Sequence, residues 1–211
     1  MKITVEKDGF KIIIPAFLIG LILLFITNLW PVGLFLLIFA LASALFFREV
    51  HGDTNFDDTQ IVAPASGKVI EIREVMEPDF IKERVIKLSI FMSIFDEHIN
   101  YAPVDGEVAY LQHRPGGFKK AYLDAASDGN EAQNIGFRNE KSAWLMKQIA
   151  GVVARRIVCR CRVGDHLRAG EKLGLIRFGS RVELFFPLGT EFTVTKGQHI
   201  RGGRTIIGRL S

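Results

Sequence analysis

From Ile12 to Phe47 the chain carries no charged side chain across 36 residues, and Lys11 and Arg48 bracket the run. A single membrane-spanning helix needs about 20 apolar residues, so the run is too long for one and slightly short for two. Asn28-Leu29-Trp30-Pro31-Val32-Gly33 lies in its middle. Proline cannot continue a helix, and asparagine and glycine favour turns. The pattern predicts an apolar helical hairpin over about 12–29 and 32–47. Its near-uniform apolarity argues against a helix with one wet face. The stretch is also too long for a cleaved signal peptide. After Arg48 the pattern changes to short β-type runs between glycine-rich turns. Ile61–Ile72, Arg84–Met92, Gly106–Gln112, Asn134–Arg138, Ala143–Ile149, Val152–Val163, Lys172–Arg177 and Ser180–Phe186 all read as strands. Asn139–Ser142 reads as a hairpin turn and Phe95–His98 as a short helical turn.

Two segments echo each other. Ala63-Pro64-Ala65-Ser66-Gly67-Lys68-Val69 returns as Ala102-Pro103-Val104-Asp105-Gly106-Glu107-Val108. Val163–Gly170 returns as Lys196–Gly203, with His166 and His199 in equivalent places. Repeats of this kind point to quasi-twofold β architecture. They resemble the barrel-sandwich of lipoyl- and biotinyl-type domains, in which similar hairpins pack face to face. The expected fold is therefore mostly β: a barrel-sandwich-like domain of β-hairpins, residues 48–211, behind an N-terminal membrane anchor, residues 1–47.

The chain has 211 residues and a formal net charge of +4, unevenly spread. Between Arg138 and Arg168 stand eight basic residues against only Glu140 and Asp165. Trp144 is the lone aromatic among them, too little for a nucleic-acid surface, which is set aside. An anionic membrane surface suits them better, at about 1 kcal/mol per basic residue; a solvated strand face is the other reading. Lys2, Lys7, Lys11 and Arg48 flank the apolar hairpin, which favours the cytoplasmic side of the cell membrane for both ends and for the soluble domain. Cys159 and Cys161, the only cysteines, are too near in sequence to bridge easily and too few for a zinc set, so no metal is expected.

The candidate chemistry lies at Gly179-Ser180, within Arg177-Phe178-Gly179-Ser180-Arg181-Val182-Glu183. A serine hydroxyl can attack the carbonyl before it, moving the acyl group from nitrogen to oxygen. Elimination of that ester splits the chain and leaves residue 180 as a pyruvoyl ketone. Glycine suits the preceding position because it tolerates strained backbone and has no Cβ to obstruct the attack. Phe91–Pro103, which contains Phe95-Asp96-Glu97-His98-Ile99-Asn100, resembles the histidine motif of the phosphatidylserine decarboxylase family. Phe46-Phe47-Arg48 with Ala63–Gly67, Ala126-Ser127 with Asn130-Glu131, and Phe178-Gly179-Ser180 resemble three more of its motifs, in order. The length is similar to the short form of bacteria and archaea.

That resemblance implies a proenzyme cut into a β chain, residues 1–179, and an α chain, residues 180–211. The pyruvoyl group from Ser180 would be the cofactor. It would form a Schiff base with the serine headgroup of a membrane phospholipid and accept electrons as CO₂ leaves, the role pyridoxal phosphate plays elsewhere. Phosphatidylserine would become phosphatidylethanolamine. His98 is the candidate acid/base, since an imidazole ordinarily titrates near pH 6.5; His51, His113, His166 and His199 receive no chemistry. Two positions depart from the family pattern. Ser66 stands where many members carry aspartate, and Tyr101 where some carry a second histidine. His98, Asp96, Asp105 or a strained backbone remain as activators of Ser180. Lys120 replaces a common asparagine, as a phosphate or carboxylate contact or as a solvated loop residue. The rival reading is a non-enzymatic, membrane-anchored barrel-sandwich adaptor of a transport complex, which leaves the His98 and Ser180 motifs unexplained. Diacyl or ether lipid, and the assembly state, homo-oligomer included, stay open.

Overall fold

The computed structural model describes residues 2–26, 28–51, 55–118, 121, 129–151, 157–176 and 179–210. The chain divides into two compact units, Met1–Gly52 and Asp53–Ser211.

The first unit is a helical hairpin closed by a small sheet. Strand β1 (Lys2–Val5) leads into α1 (Lys7–Leu24); α2 (Trp30–Phe46) follows, and β2 (Arg48–His51) returns antiparallel to β1. Both helices lie N-terminal to their expected bounds. The first begins before the charge-free run because Lys7, Asp8 and Lys11 fit on its first turns, where Lys11 Nζ meets Asp8 at 3.3 Å. The break falls at 25–29, and Pro31 sits in the first turn of α2, where a missing N–H costs nothing. Small residues form the seam: a Cβ at Gly33 would stand 2.8 Å from the Gly20 carbonyl oxygen, so only glycine allows this approach. Leu18, Ile22, Phe25, Phe35, Ile38 and Leu41 are exposed. At 1.5 Å per residue the helices are about 27 and 26 Å long, against a hydrocarbon core of roughly 30 Å. Among the described residues no helix is long and apolar enough to cross a membrane.

The second unit is mostly β. Its strands are β3 (Gln60–Val62), β4 (Gly67–Met76), β5 (Arg84–Met92), β6 (Ile99–Tyr101), β7 (Gly106–Arg114), β8 (Ala132–Arg138) and β9 (Ala143–Ile149), followed by β10 (Ile157–Cys159), β11 (His166–Leu167), β12 (Lys172–Ile176), β13 (Ser180–Pro187), β14 (Glu191–Phe192), β15 (His199–Ile200) and β16 (Ile206–Arg209). The expected run 61–72 is two strands, because Ala63–Ser66 turns between them. Of 152–163 only Ile157–Cys159 is strand among the described residues. Phe95–His98 is not helical: Ser93 and Asp96 close a turn in which Asp96 N donates to the Ser93 carbonyl, and Asp96 Oδ2 accepts from Ser93 N at 2.8 Å. The 139–142 turn forms as expected, with Asn139 Oδ1 accepting from the N–H groups of Lys141 and Ser142.

The quasi-twofold symmetry is plain in the sheet order. The eight-stranded curled sheet runs β11-β7-β8-β9-β13-β5-β4-β15, and two three-stranded sheets, β10-β12-β6 and β14-β16-β3, repeat the relation. Both echo segments break register at the same step, Val69/Glu71 and Val108/Tyr110. Ser66 Oγ accepts from Gly202 N, and Asp105 Oδ1 accepts from Ala169 N, the equivalent bond in the other repeat. The core lies on one face of the large sheet, around Trp144, Phe137 and Phe186, whose rings stack at 5.7 and 6.0 Å. The symmetry places β9 and β13 at the centre of the sheet.

Candidate active site

Ser180 opens β13 and shares the face of Val182, Leu184 and Phe186 that enters the core. It is fully buried, and its hydroxyl donates to Met92 Sδ on the neighbouring β5 at 3.4 Å. A thioether is a weak acceptor. The hydroxyl is therefore oriented without being tied to a strong partner.

Gly179 has φ +59, the left-handed region, and open space where a Cβ would stand. Its backbone conformation, not crowding, calls for glycine there. Crowding acts from the segment that follows β9. A Cβ at Gly151 would fall 1.8 Å from the Gly179 carbonyl oxygen, so Gly151 passes directly against the bond in question. Asn130 holds this strand end in place by donating from Nδ2 to the Ala150 carbonyl at 2.7 Å, and Ala150 N donates to Glu131 O. The Asn130-Glu131 pair thus braces the segment that faces Gly179. These features fit a group generated at residue 180: a buried hydroxyl, a left-handed glycine before it, and a bare backbone beside the carbonyl.

His98 is buried, and its carbonyl accepts from Ile176 N at 3.2 Å, three residues before Gly179. Two residues later Asn100 Nδ2 lies 3.8 Å from Met92 Sδ, the same sulfur that receives Ser180. The structure thus brings the His98 segment and Ser180 to one neighbourhood. Lys120, Ala126, Ser127, Arg177 and Phe178 lie outside the described residues.

The two departures from the family pattern converge on a residue that sequence reasoning passed over. Glu97 Oε2 accepts from Ser66 Oγ at 3.3 Å and pairs with Arg204, while Glu97 Oε1 accepts from the Tyr101 hydroxyl at 3.1 Å. A carboxylate is therefore present between positions 66 and 101, contributed by neither. Asp105 is exposed and occupied in its turn, and Asp96 pairs with His199 Nε2 at 2.9 Å. Both of these proposed activators have structural work elsewhere.

The opposite face of the same strands buries charge. Lys87 Nζ meets Glu71 at 2.6 Å and Glu183 at 3.7 Å, and Arg181 Nε lies 3.4 Å from Glu183. Burial works to raise the Glu71 pKa, but the Lys87 hydrogen bond and charge outweigh it and hold the carboxyl below its ordinary range. Cys159 and Cys161 Sγ are 3.3 Å apart, and the thiol bond from Cys161 lowers Cys159 to about 7. No group of three metal-ligating side chains occurs among the described residues. A groove of about 350 Å³ lined by Phe80, Arg138, Lys141 and Pro187 lies at the far end of β13 from Ser180.

Residues 42–208 match the profile of the phosphatidylserine decarboxylase family. A phosphatidylserine decarboxylase proenzyme of Carboxydothermus hydrogenoformans is 42% identical over 184 residues, 87% of this chain and 86% of that one. One from Symbiobacterium thermophilum is 38% identical over 207 residues, covering 98% and 95%. One from Porphyromonas gingivalis is 44% identical over 168 residues, covering 78% and 76%.

Proposed function

The chain belongs to the phosphatidylserine decarboxylase family, and from that premise we propose that it cuts itself between Gly179 and Ser180 and works with the ketone left at residue 180. It is a carboxy-lyase, and its reaction is the decarboxylation of phosphatidylserine to phosphatidylethanolamine. The non-enzymatic adaptor is not favoured, because relatives named as proenzymes align over most of the chain.

The observation that carries the cut is the close pass of Gly151 against the Gly179 carbonyl, beside the buried Ser180 hydroxyl. Ser180 Oγ attacks the Gly179 carbonyl carbon, and the acyl group moves from nitrogen to oxygen. Loss of the Cα proton expels the Gly179 carboxylate. Water then removes the residue-180 nitrogen as ammonia and leaves the ketone. The left-handed turn at Gly179 presents the carbonyl, and the bare Gly151 backbone leaves room for its carbon to become tetrahedral. The pyruvoyl group, once present, supplies the electron sink for loss of CO₂. His98 moves the protons, and Glu97, bound to Ser66, Tyr101 and Arg204, keeps the backbone beside it in place.

The apolar exterior of residues 12–47 holds the chain at the membrane, with the soluble unit on the cytoplasmic side. Its helices are short for a span, which favours a hairpin that dips in from one face. Ser180→Ala tests the core of the reading. Purified wild type should run as two pieces on a denaturing gel, the shorter with a blocked N-terminus, and Ser180→Ala as one. A wild type that remains a single chain would sink the proposal.

A further inference from the structure

Ser180 shares its face of the sheet with a short chain of buried polar side chains. Arg181 pairs with Ile149 and Val182 with Gln148, so Gln148 and Ser180 lie on the same face, one step apart on adjacent strands. The contacts are continuous. Ser180 Oγ donates to Met92 Sδ at 3.4 Å, Asn100 Nδ2 donates to that sulfur at 3.8 Å, and Gln148 Nε2 donates to Asn100 Oδ1 at 2.7 Å. All four side chains are fully buried.

The chain ends on an atom without a partner: Gln148 Oε1 is buried and accepts no hydrogen bond. An unpaired buried acceptor is destabilising, and folded proteins keep few of them. This one lies within three side-chain contacts of the proposed nucleophile. Its orientation is fixed, because the other end of the amide is committed to Asn100.

The missing partner has to be an N–H or O–H donor. In the working enzyme proposed above, one new donor arrives at residue 180, the primary amine of the substrate headgroup. A glutamine oxygen is suited to receive it. It is neutral, it accepts at any physiological pH, and it does not compete for the proton that His98 handles. An amine held by one N–H also keeps its lone pair on a defined side, and such orientation is a large part of catalysis. We infer that Gln148 Oε1 accepts an N–H of the substrate amine and turns its nitrogen toward residue 180, with Asn100 holding the amide in position. This rests on the pyruvoyl reading. It predicts that the enzyme selects primary amines through Gln148, independently of the phosphate or the acyl chains.

The test reads mass rather than turnover. Cleaved protein is incubated with glycerophosphoserine, a headgroup without acyl chains, and cyanoborohydride. The amine nitrogen adds to the ketone carbon, water leaves, and hydride from the reagent saturates the C=N bond. The intact mass of the α chain reports the adduct. Borohydride alone, which reduces the ketone to an alcohol, counts the ketones present. Gln148→Leu should show full ketone but form adduct about tenfold more slowly or worse, the scale of one hydrogen bond lost in a dry site. Gln148→Glu keeps an acceptor oxygen but gives up the amide donor that meets Asn100, so its adduct rate should fall between those of wild type and Gln148→Leu.

Adduct formation by Gln148→Leu within twofold of wild type overturns the inference. If Gln148→Leu stays uncut, Gln148→Glu decides alone: full ketone with lost adduct overturns it, and full ketone with retained adduct supports it. A wild type that cleaves but shows no ketone defeats the pyruvoyl reading instead, and the borohydride count separates the two failures.

Discussion

The helical unit carries large apolar side chains on its outside, whereas the β unit carries charged ones inside. Phe17, Phe25, Phe35 and Leu41 are exposed around a seam of Gly9, Ala16, Gly20 and Gly33. In the β unit Lys87, Lys147, Arg181 and Glu183 are nearly inaccessible. Each arrangement would be costly in the other's surroundings. Exposed apolar surface costs about 25 cal/mol per Å² in water, and a buried charge is tolerated only when paired. The contrast indicates different solvents for the two regions. Under the proposed reading one suits lipid, and the other holds a dry, polar interior where a hydroxyl can be made to react. Chemistry and access to substrate should therefore be separable by mutation.

The sharpest test of that division is Gly151→Ala. The new Cβ would overlap the Gly179 carbonyl oxygen, so the chain should fold but stay uncut on a denaturing gel, whatever lipid is present. Normal cutting by this variant would mean that the close pass of Gly151 against Gly179 is irrelevant to the reaction.

His98→Ala comes next. It should lower decarboxylation by 10²–10⁴-fold, the usual contribution of a general acid or base. The loss should be equal on vesicles and on a short-chain, water-soluble phosphatidylserine. A larger loss on vesicles would place His98 in membrane binding rather than in proton transfer.

The smallest effect should come from the helical unit. Deleting residues 1–52 should leave self-cleavage intact. Turnover on vesicles should drop about tenfold or more relative to the soluble substrate, since each CH₂ of a lipid drawn into water costs about 0.8 kcal/mol. Equal loss on both substrates would show that the hairpin serves folding instead of access.

The sequence carried some of these features openly and hid others. Alternation located β5, β7, β9 and β13 within a residue or two, because each puts one face into the core. The repeats around Gly67 and Gly106 foretold the symmetric sheet order. Two-residue strands such as β11 and β15 were invisible, being too short to show a period. Arg181 and Glu183 alternate with the apolar residues of β13 and yet are buried, because pairing across strands, which no local pattern reveals, removes them from water. Gly179 and Ser180 were found because their chemistry depends on adjacency. Gly151, Met92 and Gln148 were missed because each is an ordinary residue made relevant only by register. The glycine directly after the strand-like segment Ala143–Ala150 was the one available hint. Glu97 was masked by its neighbour His98, whose imidazole alone accounts for acid/base chemistry in that motif.

Strand β13 pairs with β9 on one side and β5 on the other, in the middle of the sheet. Under the proposed cut, everything from residue 180 onward becomes a separate peptide that still fills the centre of its host. It is gripped on both flanks, and Arg204 reaches back across the break to Glu97. The mature enzyme would then be a structure that its own pieces never had to assemble. Fold came first, while the chain was whole, and the link that guided it was afterwards destroyed. Such a molecule carries a history: heated until its strands part, it has no unbroken chain left to bring them together again.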